Sequence, residues 1–160
     1  MRMSEGVEWA AHCCLLLSWI GEDGPVPATR LAAGFDLPAP YLNKQLQALV
    51  RAGIATSTPG PRGGFRLARP LEQITMMDIV TAIEGPEPAF QCTEIRQRGM
   101  FAGSPESNFR APCAISTAMR KGEMAWRRTL AKQTLADVNA AATGGLPDLP
   151  EQIRAWYART

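Results

Sequence analysis

The sequence predicts a mainly α-helical protein in which short helices are followed by one β-hairpin, an irregular loop and a long helix. Apolar residues recur at helical spacing along most of the chain. Short β-prone runs occur only around the glycine- and proline-rich turn at 59–64, which is typical of a hairpin. The stretch from Phe90 to Cys113 has no sustained apolar period. With 46% hydrophobic and 20% charged residues, the 160-residue chain has an ordinary globular composition.

Three helices are predicted before the hairpin. The first covers about 6–20 and contains "AAHCCLLLSWI", in which Cys13 and Cys14 are expected to be small buried hydrophobic residues. A second covers 28–34 and a third 39–52. In the third, the leucines face inward at helical spacing and leave an outer face of Asn43, Lys44, Gln47 and Arg51.

This outer face and the hairpin indicate DNA binding. Amide and cationic side chains pair with base edges and phosphates in the major groove. The hairpin tip carries Arg62, Gly63 and Gly64, where glycine permits a close approach of the backbone to a phosphate. From Leu37 to Leu71 the chain has five basic residues and no acidic one. Residues 1–85 are therefore predicted to form a winged helix-turn-helix DNA-binding domain.

Two further helices are predicted around the loop. Thr75 and Asp78 have the spacing of a capping box for a helix over 75–84. A long helix over 114–141 has a broken apolar stripe, which we expect to be buried against its copy in a homodimer that reads palindromic double-stranded DNA. A final amphipathic segment covers 150–157. Residues 114–160 are predicted to form the dimerisation helix and a C-terminal segment.

The loop contains the other two cysteines. No apolar run reaches the length of a membrane span and no signal peptide pattern occurs, so a cytoplasmic protein without a membrane segment is expected. In that compartment, cysteines serve metal binding, redox chemistry or plain burial more often than disulfides. Cys92 and Cys113 lie among charged residues, glycines and prolines, where burial cannot explain them. The segment 86–113 is therefore expected to be functional.

The chain resembles a known family. "GPRGGFRLARPLEQITMMDIVTAIEGP" and "YLNKQLQALVRAGI" are similar to the Rrf-type winged-helix regulators, the bacterial family of the iron–sulfur regulator IscR and the nitric-oxide-sensing repressor NsrR. The resemblance implies a homodimeric repressor that binds a palindromic operator, with its third helix in the major groove. It also implies control of that binding by an iron–sulfur cluster, and assigns 86–113 as the cluster loop.

A narrower resemblance concerns the cluster ligands. "GVEWAAHCC" and "PAFQCTEIRQRG" are similar to the redox-sensing RsrR-like branch. This implies a 2Fe-2S cluster held by Cys92 and Cys113 of one chain and by Glu8 and a histidine of the other. It also implies that Trp9 acts as a switch that reports the state of the cluster.

Two departures from the family pattern leave the fourth cluster ligand open. The loop has two cysteines where many members have three, and the histidine expected after the second helix aligns with Phe35. His12, the only histidine, lies four residues beyond Glu8 and so on the same helical face. It either completes the site or is a partly buried, hydrogen-bonded histidine of the helix.

Three functions compete at this point. The first is a redox- or nitrosative-stress-sensing repressor with a 2Fe-2S cluster. The second is a cluster-free member of the same family, regulated by thiol chemistry or by a partner protein. The third is an enzyme such as a dithiol oxidoreductase, which the lack of a CxxC motif and of a phosphate-binding loop disfavours. The protein is therefore expected not to be an enzyme.

Overall fold

The computed structural model describes residues 3–22 and 24–159. It contains two compact units. Glu87–Thr129 forms one, called here the loop unit; the described residues on either side of it form the other, called the head. The predicted division into a DNA-binding domain, a cluster loop and a dimerisation segment, with boundaries at 85 and 113, stays a prediction.

The head begins with three helices, as predicted: α1 (Glu5–Ile20), α2 (Ala28–Gly34) and α3 (Ala39–Arg51). They converge on a core in which Leu31, Leu42, Leu46 and Leu49 are fully buried. Proline supports both turns, because Pro27 and Pro38 precede α2 and α3 with the extended backbone that a helix start requires. The polar face of α3 remains outside the core.

The hairpin is confirmed. Strand β1 (Ala55–Thr58) pairs antiparallel with β2 (Gly64–Leu67), in a register that sets Ala55 opposite Leu67. Val26, just before α2, forms a further bridge to Phe65, with hydrogen bonds of 2.9 and 2.8 Å. This bridge ties the hairpin of β1 and β2, called here the wing, to the start of α2.

Helix α4 (Met76–Glu84) follows, and Thr75 caps it as predicted. The Thr75 hydroxyl accepts from the Asp78 amide at 3.0 Å, and the Asp78 carboxylate accepts from the Thr75 amide at 2.9 Å. At the other end of the helix, Glu84 accepts two hydrogen bonds from Ser4, which precedes α1. These bonds fix α4 to the start of α1.

The predicted helix over 114–141 is wrong as one continuous helix. It is divided into α5 (Ala114–Lys132) and α6 (Leu135–Gly145). Thr134 and Asp137 form a second capping box, which starts a new helix. Thr134 also bridges to Thr75, and Leu135 is fully buried in the head core. The head therefore covers the later part of the stripe, and α7 (Leu149–Arg159) packs on α1.

The loop unit has little regular structure before α5, as predicted. Three short 3₁₀ turns, at Ile95–Gln97, Gly99–Phe101 and Glu106–Phe109, are its only helical elements in that stretch of described residues. None of the helices that the structure describes is long and apolar enough to cross a membrane.

Candidate functional site

The outer face of α3 and the wing border one open groove of about 560 Å³. Asn43 and Gln47 line it from α3, one turn apart, and Asn43 is exposed while Gln47 is half-buried. Gly63 and Gly64 line it from the wing. Two amides that can read bases therefore lie beside the hairpin, as a winged helix requires.

The predicted cations lie on α3 and on the turn of the hairpin. Lys44 and Arg51 are exposed on α3, and Arg62 is exposed at the tip of the wing. None of the three is among the residues that line the groove. Such positions suit contacts with the phosphate backbone better than contacts with base edges.

The wing glycines have a structural role that the sequence did not reveal. A Cβ atom on Gly64, which has φ of +152°, would lie 2.3 Å from the carbonyl carbon of Val26. A Cβ on Gly63 would lie 2.1 Å from the carbonyl oxygen of Thr58. The close approach at both glycines is to the protein's own backbone, so they set the shape of the wing.

Sequence reasoning missed two further contributors to this surface. Ser57 and Thr58 on β1 line the groove, as do Pro27 and Ala28 at the start of α2. The three consecutive hydroxyl residues at 56–58 were the available signal. By contrast, Arg69 of the predicted basic segment serves the fold, because its guanidinium donates to the carbonyls of Gly53 and Gln73 at 3.1 Å.

The loop cysteines are accessible. Cys92 is exposed and Cys113 is half-buried. Cys113 immediately precedes α5, and its pKa is lowered, chiefly by a hydrogen bond from the Ser116 amide. A second amide, that of Ile115, and the charge of Arg96 act in the same direction, against partial burial and the charge of Glu94. The start of α5 therefore favours a thiolate, the form that binds metals.

The two cysteines of α1 are buried, as predicted. Cys13 and Cys14 are fully buried in the head core. Burial raises the pKa of each thiol to about 12. They are thus protonated core residues and not candidates for metal binding.

Helix α1 presents the other predicted ligands. Glu8 and His12 are both exposed, one turn apart. The ring of His12 lies against that of Phe35, with 5.3 Å between the centroids. The exposure of His12 differs from the partly buried state expected for a purely structural histidine, because α1 turns this face away from the core.

Trp9, the predicted switch residue, is half-buried and follows Glu8 on α1. It borders a groove of about 460 Å³ whose other walls include Tyr41 and Gln45 of α3 and Glu84 of α4. Trp9 and two residues of α3 therefore line the same groove.

The residues that the structure describes do not form a complete metal site within one chain. Among residues 3–22 and 24–159, no group of three histidine, cysteine or acidic side chains is arranged to hold a metal ion. Cys92 and Cys113 belong to the loop unit, whereas Glu8 and His12 belong to the head. The ligand set implied by the resemblance takes its members from two chains, so it stays a prediction.

Comparison with known proteins agrees with this architecture. The model of the Rrf2 family, described as "Iron-dependent Transcriptional regulator", matches residues 3–141. The protein YwgB of Bacillus subtilis is 33% identical over 159 residues, which cover 99% of this chain and 96% of that protein.

Two solved structures share the fold. T. potens IscR superposes with a TM-score of 0.65 at 22% identity and covers 91% of each chain. CymR, the global cysteine regulator of B. subtilis, superposes with a TM-score of 0.62 at 22% identity, over 88% of this chain and 98% of that one. The family match covers most of this sequence. The chain belongs to the Rrf2 family of transcriptional regulators, DNA-binding proteins with a winged helix-turn-helix.

Proposed function

We propose that the protein is a homodimeric repressor that binds a palindromic operator and senses redox or nitrosative state through a 2Fe-2S cluster. Cys92 and Cys113 of one chain and Glu8 and His12 of the other would hold the cluster. The observation that carries the proposal is the exposed Glu8–His12 pair on α1. Trp9, next to Glu8 in the chain, lines a groove together with Tyr41 and Gln45 of α3. Trp9 would thus connect the proposed ligands with α3.

The side chains fit such a group chemically. Thiolates are the usual ligands of iron–sulfur iron, and imidazole replaces them in some clusters. The thiolate form of Cys113 is favoured by the amides at the start of α5, and Glu8 and His12 are free of the core. When bound, a 2Fe-2S cluster supplies one-electron redox chemistry.

The response would pass through Trp9. Trp9 lines one groove with Tyr41 and Gln45 of α3. A change of charge at Glu8 or His12 that repacked Trp9 would therefore change the surroundings of α3. Asn43 and Gln47 also lie on α3 and line the other groove, the one between α3 and the wing. The orientation of these two amides toward the bases is what such a change would alter.

The dimer is supported by the apolar surface of α5. Ile115, Met119 and Met124 are 67%, 48% and 43% exposed in the single chain. Exposed apolar side chains on one helix are typical of an interface. A two-fold dimer would present two copies of α3 to two half-sites of a palindrome.

Anaerobic purification tests the cofactor. The protein is expected to be coloured and to contain about two irons per chain. Cys92→Ser and Cys113→Ser should lose the iron, whereas Cys13→Ala, in the head core, should keep it. A colourless, iron-free protein after anoxic reconstitution would reject the cluster.

Operator binding tests the switch. Fluorescence anisotropy with a labelled operator, before and after oxidation of the loaded protein, should give two different affinities. Equal affinities would reject redox control even if the cluster is present.

The second candidate is a cluster-free regulator that responds through the loop thiols or a partner protein. Phe35, at the position where the resemblance implies a histidine, favours it, as does the accessibility of Cys92 and Cys113. In this case anoxic iron reconstitution should leave operator affinity unchanged. Cys92→Ser should abolish the response of operator binding to a thiol oxidant if the loop thiols act, and should leave operator binding unchanged if a partner protein acts.

A further inference from the structure

The loop unit contains one arginine whose contacts reach both cysteine-bearing arms. The first arm, residues 92–98, follows Cys92, and the second arm, residues 109–113, leads into Cys113. Arg96 lies on the first arm, and its guanidinium donates to the carbonyl of Ala111 on the second at 3.1 Å. The same guanidinium lies over the Phe109 ring, 5.6 Å from its centroid. These two contacts join the arms.

The first arm is also held by Arg96. Its Nε and Nη2 atoms donate to the two carboxylate oxygens of Glu94, the second of these bonds at 3.0 Å. Glu94 has φ of +49°, a left-handed backbone that a non-glycine residue adopts only when its surroundings support it. The two-pronged ion pair supplies that support, since the fork geometry of arginine matches a carboxylate.

We infer that Arg96 is a positioning residue that clamps the two arms of the loop and places a positive charge beside the metal-binding thiols. The clamp follows from the contacts alone, whereas the role of the charge rests on the proposed cluster. Both thiols lie within electrostatic range of the guanidinium. A nearby cation stabilises a site that gains negative charge on reduction.

Arg98 is the matched control. It has the same charge, lies two residues further along the first arm and is exposed. Its side chain makes no hydrogen bond or ion pair with any residue that the structure describes. A substitution there changes the net charge of the loop equally but leaves the contacts of the clamp intact.

Amide exchange in the iron-free protein tests the clamp without the cofactor. The amides of Gln97 and Arg98 donate to the carbonyls of Glu94 and Ile95 at 3.0 and 3.1 Å. Arg96→Gln should make the exchange of these two amides at least about tenfold faster, since hydrogen bonds to a charged group are lost. Arg96→Lys, which lacks the planar fork, should do the same, and Arg98→Gln should not. Exchange rates in Arg96→Gln equal to wild type would overturn the clamp.

The midpoint potential of the loaded protein tests the charge. Arg96→Gln should lower it, Arg96→Lys should leave it near wild type, and Arg98→Gln, with an exposed and screened charge, should shift it less. An unchanged potential in Arg96→Gln would overturn the electrostatic role. If the wild type takes up no iron on reconstitution, the role of the charge and the proposed function are both rejected. Faster amide exchange in Arg96→Gln would still uphold the clamp in that case. Wild-type exchange rates in Arg96→Gln, together with the expected iron content in the wild type, would reject the clamp alone.

Discussion

The imidazole ring of His12 lies against the phenyl ring of Phe35, with 5.3 Å between the ring centroids and 59° between the planes. His12 is on α1, and Phe35 is in the turn after α2. Phe35 occupies the position where the Rrf-type resemblance implies a histidine. The expected imidazole and the one available imidazole are therefore neighbours in space, and both side chains are exposed.

This contact leads to a rescue prediction. His12→Gln should lower the affinity for iron at least about tenfold, because it removes a ligand. Adding Phe35→His in that background should restore part of the iron, since the new imidazole lies beside the lost one. Iron content after anaerobic reconstitution is the measurement.

Phe35→His alone is the control for this experiment and should bind iron like the wild type. Undiminished iron in His12→Gln would show that His12 is not a ligand. Failure of the double variant to regain iron would show that the Phe35 position does not reach the site.

The wing should depend on Gly64 for its shape. In Gly64→Ala the added carbon would overlap the backbone of Val26, at a φ that side chains rarely adopt. The free energy of unfolding should fall by roughly 2 kcal/mol or more. Urea denaturation measures this loss, and operator affinity should fall with it.

Gly144→Ala, in α6, is the matched control because nothing lies within 4 Å of the added carbon. Its stability should be unchanged or raised by up to about 1 kcal/mol, the gain from alanine in a helix. Equal stabilities of the two variants would contradict the tight packing of the wing on Val26.

Base reading and phosphate contact should be separable. Asn43→Ala should cost about 1–3 kcal/mol of operator affinity and relax the preference for one base pair, because Asn43 lines the groove. Arg62→Ala should weaken binding to all sequences alike and reduce the salt slope by about 1, because Arg62 is at the exposed wing tip. Binding titrations at several salt concentrations, with the operator and with single-base variants, give both quantities.

Arg128→Ala, on the exposed surface of α5, is the charge control and should change neither quantity. A uniform loss over all sequences in Asn43→Ala would mean that Asn43 contacts the backbone and not a base.

The core thiols should titrate only at high pH. Burial raises the pKa of Cys13 and Cys14 from 9.0 to about 12. Above pH 9 the unfolded chain loses protons that the folded chain keeps, so the free energy of unfolding should fall as pH rises from 9 toward 12. This contribution to stability is fully present below pH 9.

A thiol reagent at pH 8 checks the same burial. In the native iron-free protein, Cys92 and Cys113 should react, whereas Cys13 and Cys14 should react only in denaturant. Rapid modification of all four thiols in the folded protein would contradict the packing of α1. In Cys13→Ala, the fall in the free energy of unfolding between pH 9 and 12 should also be smaller than in the wild type.

Much of the head was predictable because its signals are local. The helices α1, α2 and α3 follow the apolar spacing of their own residues, and Thr75 announces α4 by a cap that needs only Asp78. The break between α5 and α6 also had a local signal, because Thr134 and Asp137 have the same capping-box spacing as Thr75 and Asp78, but the apolar stripe that continues past it favoured one helix. The burial of Leu135 and the bridge from Thr134 to Thr75 depend on residues distant in the chain.

The same distinction holds for the candidate site. Residue type and spacing along the chain separated the two loop cysteines from the two core cysteines, and assigned Asn43 and Gln47 to the outer face of α3, because helical periodicity and polarity are properties of neighbouring residues. Only the tertiary structure decided that Gly64 packs on Val26, that Trp9 lines a groove with residues of α3, and that His12 lies against Phe35. Those contacts join segments far apart in the chain, and their distances depend on how the helices pack.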